Sequence, residues 1–171
     1  ALSAVYFDGV QSGRIGAGSR RVVATELETE GTTLDFRVGK QSLREVYLLP
    51  FEIAIADADP WTVMSAYNSI NGDRATEHDE LNNQLLKGEW NWPGLVVSDW
   101  SATKSAAPAA NGGLDLVMPG PEGPWGERLV EAVHTGDVEP EIVESGPTSN
   151  GHQHLVDVGD RLDRRAGRHK V

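Results

Sequence analysis

A chain of 171 residues is long enough for one domain with a hydrophobic core. The formal net charge is −11, with 39 % hydrophobic and 24 % charged residues, which suits an ordinary soluble protein and argues against a nucleic-acid-binding body, because phosphate contacts need a basic face. Without cysteine there are no disulfides and no thiolate chemistry, and no apolar run reaches the roughly 18 residues of a membrane span.

The N-terminal stretch ALSAVYFDGVQSG lacks the basic start and long apolar middle of a signal peptide. With no initiator Met, the chain is expected to be a fragment or a processed product. After the glycine-rich GRIGAGS, the run RRVVAT (20–25) predicts a first strand. Residues 41–49, QSLREVYLL, predict a helix with Leu43, Val46 and Tyr47 on one face, bent or ended by Pro50. TVMSAYN (62–68) predicts a second strand, closed by the turn-like SINGD. Residues 77–87 predict the clearest helix, with Thr76 as N-cap, Asp79 three residues on, a stripe of Leu81, Leu85 and Leu86, and Gly88 as the stop. GLVVSDW (94–100) predicts a third strand, Ala-rich 102–110 a short helix containing Pro108, and GLDLVMPGP (113–121) a fourth strand. ERLVEAVH (127–134) predicts a last helix before Gly136. Beyond residue 145 the pattern fades into a linker, with a short helix at 159–167, and the last eleven residues, RLDRRAGRHKV, carry five Lys/Arg against one Asp and suit a solvated basic terminus.

Short apolar strands alternating with helices, none joined to the next by a tight hairpin, predict an α/β protein with a parallel sheet buried on both faces. A closed eight-unit barrel takes about 250 residues, so this chain has room for about four βα units, half of a TIM-type (β/α) barrel.

Several patterns are candidate sites. GRIGAGS lacks the Gly-Lys-Ser/Thr ending of a phosphate loop and precedes a strand instead of following one, so it is expected to be a flexible turn. His152 and His154 form a His-x-His pair with no third ligand at a recognisable spacing, so no metal site is expected, and no cofactor. A Gly-x-Ser-x-Gly elbow is absent. Asp99 ends an apolar run, where ligands meet parallel α/β proteins, and Tyr67 ends the preceding strand. Trp100 offers a flat apolar face suited to the C–H face of a sugar. A carboxylate, a phenol and an indole at one end of a sheet suggest a carbohydrate site; equally, Asp99 suits a cap on the helix that follows. Spacing alone leaves both open.

The pieces LREVYLLPFE, VMSAYNSING, LLKGEW, GLVVSDW and GLDLVMPGP, in that order, resemble the family 3 glycoside hydrolases of the β-glucosidase type over about residues 5–145. The resemblance implies the second half of the catalytic barrel domain over residues 1–145, followed by a poorly matching segment from 146 to 171. It implies a retaining hydrolase of β-glycosides with Asp99 as nucleophile, Tyr67 positioning it, Trp100 as the wall of the sugar subsite and Met64 as an apolar contact on that wall. The family's Lys-His pair, which grips sugar hydroxyls, falls on Arg20 and Arg21 here. Arg is not a conservative exchange for either, which leaves three readings open: a shifted substrate preference, with two arginines favouring an acidic sugar, a weakened sugar site, or a degenerate one. The first half of the barrel and the acid/base carboxylate are expected from outside these residues. Glu89, Asp115, Asp57 and Asp59 are read as structural or solvated. The expected partners are a β-glycoside, together with the missing barrel half and a C-terminal domain or a second copy of the chain, with no nucleic acid and no membrane. A cytoplasmic and a secreted location remain equally open. The alternative is a non-catalytic carbohydrate-binding or interaction fragment of such an enzyme.

Overall fold

The computed structural model describes residues 2–23, 33–120 and 123–144. The end of the first expected strand (24–25), His152, His154, the expected helix at 159–167 and the basic terminus lie outside them.

Helix α1 (Leu2–Ser12) turns Ala4 and Phe7 inward, and Phe7 packs with Ala17 and Ala54 in a small cluster. Strand β1 (Gly18–Ser19) and strand β2 (Asp35–Phe36) follow. Helix α2 spans 40–58, opening with Lys40–Ser42, widening into a π-helical stretch Leu43–Leu48 and closing as a regular α-helix Leu49–Ala58. Strand β3 (Thr62–Met64) leads to a hairpin of β4 (Ser69–Ile70) and β5 (Asp73–Arg74). Helix α3 (Glu80–Glu89) is π-helical. Strand β6 (Leu95–Val97) precedes the short helices α4 (Ala107–Asn111), α5 (Glu127–Thr135) and α6 (Pro140–Glu144).

Strands β1, β3 and β6 form a parallel sheet in the order β1–β3–β6, with Val63 opposite Val96 and Met64 opposite Val97. A parallel bridge from Val97 to Leu116 adds a fourth segment beside β6. Helices α2 and α3 each lie between consecutive strands of this sheet, and parallel neighbours need such crossovers. The main core is centred on Val63 and Val96, both fully buried, with Leu48, Ile55, Leu81, Leu85, Leu86 and Trp92 around them. The Trp92 indole donates to the Pro60 carbonyl at 2.9 Å, so its one polar atom is satisfied.

Four expectations are revised. The first strand is Gly18–Ser19, two residues before the expected start. The following residues leave the ladder, although the Val22 N–H still donates to the Met64 carbonyl at 2.9 Å. A Cβ on Gly16 would lie 2.5 Å from the Trp61 ring and one on Gly18 2.4 Å from the Thr62 hydroxyl. The glycines of GRIGAGS therefore serve close packing, not only flexibility.

The second revision is at Pro50, which does not end its helix. It sits in the first turn of Leu49–Ala58, where a missing N–H and fixed φ are tolerated, and the π-helical stretch before it absorbs the change. That wider turn also rotates the helix face. Leu43 and Tyr47 pack on the core as expected, but Val46 is 62 % exposed and Leu48 is buried instead.

Third, Thr76 caps nothing. It lies in a 3₁₀ turn (Ala75–Glu77), and its buried hydroxyl lacks a hydrogen-bond partner among the described residues. Asp79 takes over at the helix start, accepting from the Asn83 and Gln84 side chains at 2.7 Å each. The leucine stripe is as expected, while the helix runs past Gly88 to Glu89.

Fourth, SINGD is a hairpin as well as a turn. Asn71 and Gly72 have φ of 54° and 110°, the twist that a two-residue hairpin loop prefers, and β4 pairs parallel with β2 in a second small sheet.

Candidate functional site

Asp99 stands two residues beyond β6, at the carboxyl end of the parallel sheet, and only 5 % of it is exposed. The loop that carries it is pinned from both sides. Ser65 N–H donates to the Val97 carbonyl at 2.7 Å, and Ser98 N–H donates to the Leu116 carbonyl at 2.8 Å. The Ser98 hydroxyl in turn accepts from the Met118 N–H at 2.7 Å. Ser98 is itself wholly buried. Its hydroxyl ties the ends of two neighbouring sheet segments together just before the carboxylate. Nothing in the sequence pattern singled it out, since a lone serine inside a strand has many uses.

Three donors among the described residues hold the carboxylate. Oδ1 accepts from the Trp100 backbone N–H at 2.7 Å and from the Tyr67 hydroxyl at 3.1 Å. Oδ2 accepts from Arg21 Nε at 2.8 Å. Charge-assisted bonds of this kind fix orientation and are stronger than neutral ones. The Arg21 guanidinium also stands over the Tyr67 ring, 5.6 Å from its centroid. Burial pushes the Tyr67 phenol above its ordinary pKa, and the hydrogen bond to the Asp99 charge raises it further, against a smaller opposing pull from Arg21 and Arg20. The phenol therefore stays a hydrogen-bond donor at neutral pH.

Helix capping does not account for Asp99. The helix after it begins only at Ala107, its N-cap position is Ala106, and no side chain caps it. Between them lies a turn in which Ser101 has φ of 61° and its N–H donates to the Met118 carbonyl at 2.8 Å. The Trp100 side chain is turned outward, with the residue 61 % exposed, so a large aromatic face stands free beside a buried carboxylate. Met64 is half-buried at the end of β3, and its carbonyl receives the Val22 N–H. Arg20 is exposed, close enough to Tyr67 for its charge to be felt there. The structure thus gathers Asp99, Tyr67, Arg21 and Trp100, with Arg20 at the margin. Arg21, expected to face a sugar, lies on the carboxylate itself. Its backbone is left-handed, at φ 47°, and Val23 follows at φ 72°, an uncommon conformation for a β-branched residue. Strained backbone of this sort clusters at ligand sites.

Several of the remaining carboxylates have structural partners, while Asp57 is exposed. Asp115 accepts from Lys87 Nζ and from the Val96 N–H, both at 2.7 Å. Glu89 takes a forked contact from Arg44, and Glu77 accepts from Ser105 at 2.7 Å. Asp59 closes α2 in a left-handed conformation, with burial raising its carboxyl pKa. No three His, Asp or Glu side chains converge as a metal site among the described residues, and none of their helices is long and apolar enough to cross a membrane.

A parallel sheet with a buried, hydrogen-bonded carboxylate and an open indole at its carboxyl end puts these groups where α/β proteins meet their ligands. Comparison narrows the class. Residues 22–146 match the glycosyl hydrolase family 3 N-terminal domain, and the chain belongs to that family. Among sequences it is similar to beta-glucosidase B of Emericella nidulans, 47 % identical over 120 residues that make up 70 % of this chain and 14 % of that protein. It is also similar to a beta-glucosidase of Rhizobium radiobacter, 43 % identical over 84 % of this chain and 18 % of that one. Among solved structures, beta-glucosidase 3B of Thermotoga neapolitana in complex with α-D-glucose superposes with a TM-score of 0.80 at 34 % identity, over 84 % of this chain and 21 % of that one. The family 3 beta-glucosidase of Bifidobacterium adolescentis gives 0.83 at 30 %, over 94 % and 23 %. The chain spans less than a quarter of the length of each of these relatives.

Proposed function

We propose that this chain carries the nucleophile-bearing part of a retaining β-glycoside hydrolase, about the second half of a TIM-type barrel over residues 1–145. The observation that carries this is the Asp99 carboxylate, buried at a strand's carboxyl end and held by Tyr67, Arg21 and the Trp100 N–H. Asp99 attacks the anomeric carbon and forms a covalent glycosyl-enzyme, which water then hydrolyses. Tyr67 holds Oδ1 and so aims the carboxylate. Trp100 is the sugar platform, with Met64 on the same wall, and Arg20 and Arg21 border the sugar. The substrate class is a β-glucoside or a related β-glycoside.

General acid catalysis is typically worth 10²–10⁴-fold, and its carboxyl group comes from outside the described residues, supplied by the rest of the barrel and a C-terminal domain or by a second copy of the chain. This chain alone therefore hydrolyses glycosides weakly or not at all. A competing reading, a non-catalytic carbohydrate-binding fragment, draws on the same Arg21 contact, because a guanidinium seated on the carboxylate stands in the way of attack.

Trapping separates the two. A 2-deoxy-2-fluoro-β-glycoside with an activated leaving group needs no general acid. It should add one sugar mass to the chain, located on Asp99 by peptide mapping and abolished in Asp99→Asn. No adduct after prolonged exposure favours the binding fragment. Brisk hydrolysis of an aryl glucoside by the 171-residue chain, lost in Asp99→Ala, would overturn the claim that the acid lies elsewhere.

A further inference from the structure

We infer that Arg21 determines specificity at this site and selects β-glycosides of an acidic sugar, a uronide, over neutral glycosides. The inference rests on Asp99 acting as the nucleophile. It begins with the way the guanidinium is used. Arg21 spends only Nε on Asp99, and its two Nη groups have no hydrogen-bond partner among the described residues. Those groups form the end-on fork that matches a carboxylate in two parallel bonds. Asp99 is 7 % exposed at its side chain, whereas Arg21 is 33 % exposed, so the carboxylate is closed off while its arginine reaches solvent.

The surroundings act in the same direction. Asp99 and Arg21 neutralise one another, and the exposed Arg20 adds a second positive charge close to Tyr67. The guanidinium lies over the Tyr67 ring, 5.6 Å from its centroid, and the attraction of the ring face restrains it before a ligand arrives. The left-handed backbone at Arg21 and the Val22 N–H bond to Met64 fix the point from which the side chain departs. A neutral hydroxyl offers such a fork one acceptor and no charge. A sugar carboxylate offers two acceptors and a full charge, and it can draw the guanidinium partly off Oδ2 at the moment that oxygen must attack. An acidic substrate thereby opens the nucleophile that Arg21 covers.

The test uses the 171-residue chain with 2-deoxy-2-fluoro-β-glucuronyl fluoride and 2-deoxy-2-fluoro-β-glucosyl fluoride. In each, Asp99 Oδ2 forms a bond to C1 while the C1–F bond breaks and its electron pair leaves with fluoride, so no proton donor is required. Intact mass against time should show the glucuronyl reagent labelling about tenfold faster or more, the ratio expected when a forked, charged pair replaces a single neutral contact. Arg21→His should bring the ratio to one or below, and Arg21→Lys, which keeps the charge without the fork, should restore part of it. Dispersed amide NMR spectra confirm that the variants are folded. Equal or faster labelling by the glucosyl reagent in the unaltered chain refutes the acidic-sugar inference and leaves Asp99 as nucleophile. If neither reagent labels, the nucleophile assignment fails, and titration with free glucuronate against glucose, followed at the Trp100 indole, tests the specificity by itself. A glucuronate shift lost in Arg21→His would then support a uronic-acid site, and its absence would refute one.

Discussion

Asp99 is a buried and Asp115 a half-buried carboxylate at the same sheet, and mutation should cost more stability at Asp115 than at Asp99. Asp115 Oδ2 accepts from the N–H of Val96, a residue with no exposed surface, and Oδ1 pairs with Lys87. Asp115→Ala strands that N–H away from water, which costs about 1–3 kcal/mol. It also unpairs Lys87, whose side chain is 26 % exposed against 12 % for Asp115. Loss of one partner of a fully buried pair costs about 3–5 kcal/mol, and water reaching the ammonium reduces this to about 1–2 kcal/mol. The total comes to about 2–5 kcal/mol, a large share of the stability of a small domain. Asp115→Asn keeps an acceptor for Val96 and loses only the charge, so it should cost about 1–2 kcal/mol. Asp99→Asn keeps the Trp100 bond and should cost less than either, while ending nucleophile trapping. Urea unfolding followed by tryptophan fluorescence measures all three. A loss below about 1 kcal/mol for Asp115→Ala, or equal losses for the Ala and Asn variants, would refute this partition of Asp115 into acceptor and charge.

Tyr67→Phe removes one donor from the Asp99 carboxylate while keeping the ring under Arg21, so trapping should slow about tenfold or more with little change in stability. The phenol's raised pKa means that its neutral form stabilises the fold fully below the ordinary tyrosine range of about 10, and that this contribution is lost as pH rises through the higher folded value. An alkaline stability curve that falls later in Tyr67→Phe than in the unaltered chain checks the sign. Gly113 has φ of 84°, and a Cβ there would lie 2.3 Å from the Asn83 side-chain oxygen, so Gly113→Ala should lower the urea midpoint by an amount corresponding to about 1–3 kcal/mol.

Several features of the fold were legible because they depend on local pattern. The leucine stripe of α3 is buried as its spacing demands, and α5 ends at Gly136, whose φ of 80° a glycine supplies without strain. The β3 and β6 segments fall inside the expected apolar runs. Departures arise where a neighbour overrides the local signal. The π-helical stretch of α2 rotates Val46 outward, and a period of 3.6 cannot foresee a turn of different pitch. Thr76 had the right residue type and spacing for a cap, yet the chain enters α3 through a 3₁₀ turn that takes its hydroxyl elsewhere. SINGD reads as a turn, and only the pairing of β4 with β5 and with the distant β2 makes that turn a hairpin within a sheet.

At the site, the sequence by itself determined which groups are available: a carboxylate after an apolar strand, a phenol after the one before it, an indole beside the carboxylate, and two adjacent arginines at 20 and 21. It could not choose between a helix cap and a chemical role for Asp99, because both need the same residue at the same strand end. Tertiary structure decided that the later helix starts only at Ala107, uncapped by Asp99, and that the carboxylate receives Tyr67, Arg21 and the Trp100 N–H. It also decided that Arg21 rests on Asp99 rather than standing apart from it. The physical reason is that opposite charges brought together out of water pair before they do anything else. That contact joins residues 78 positions apart, a separation across which no sequence pattern reports distance.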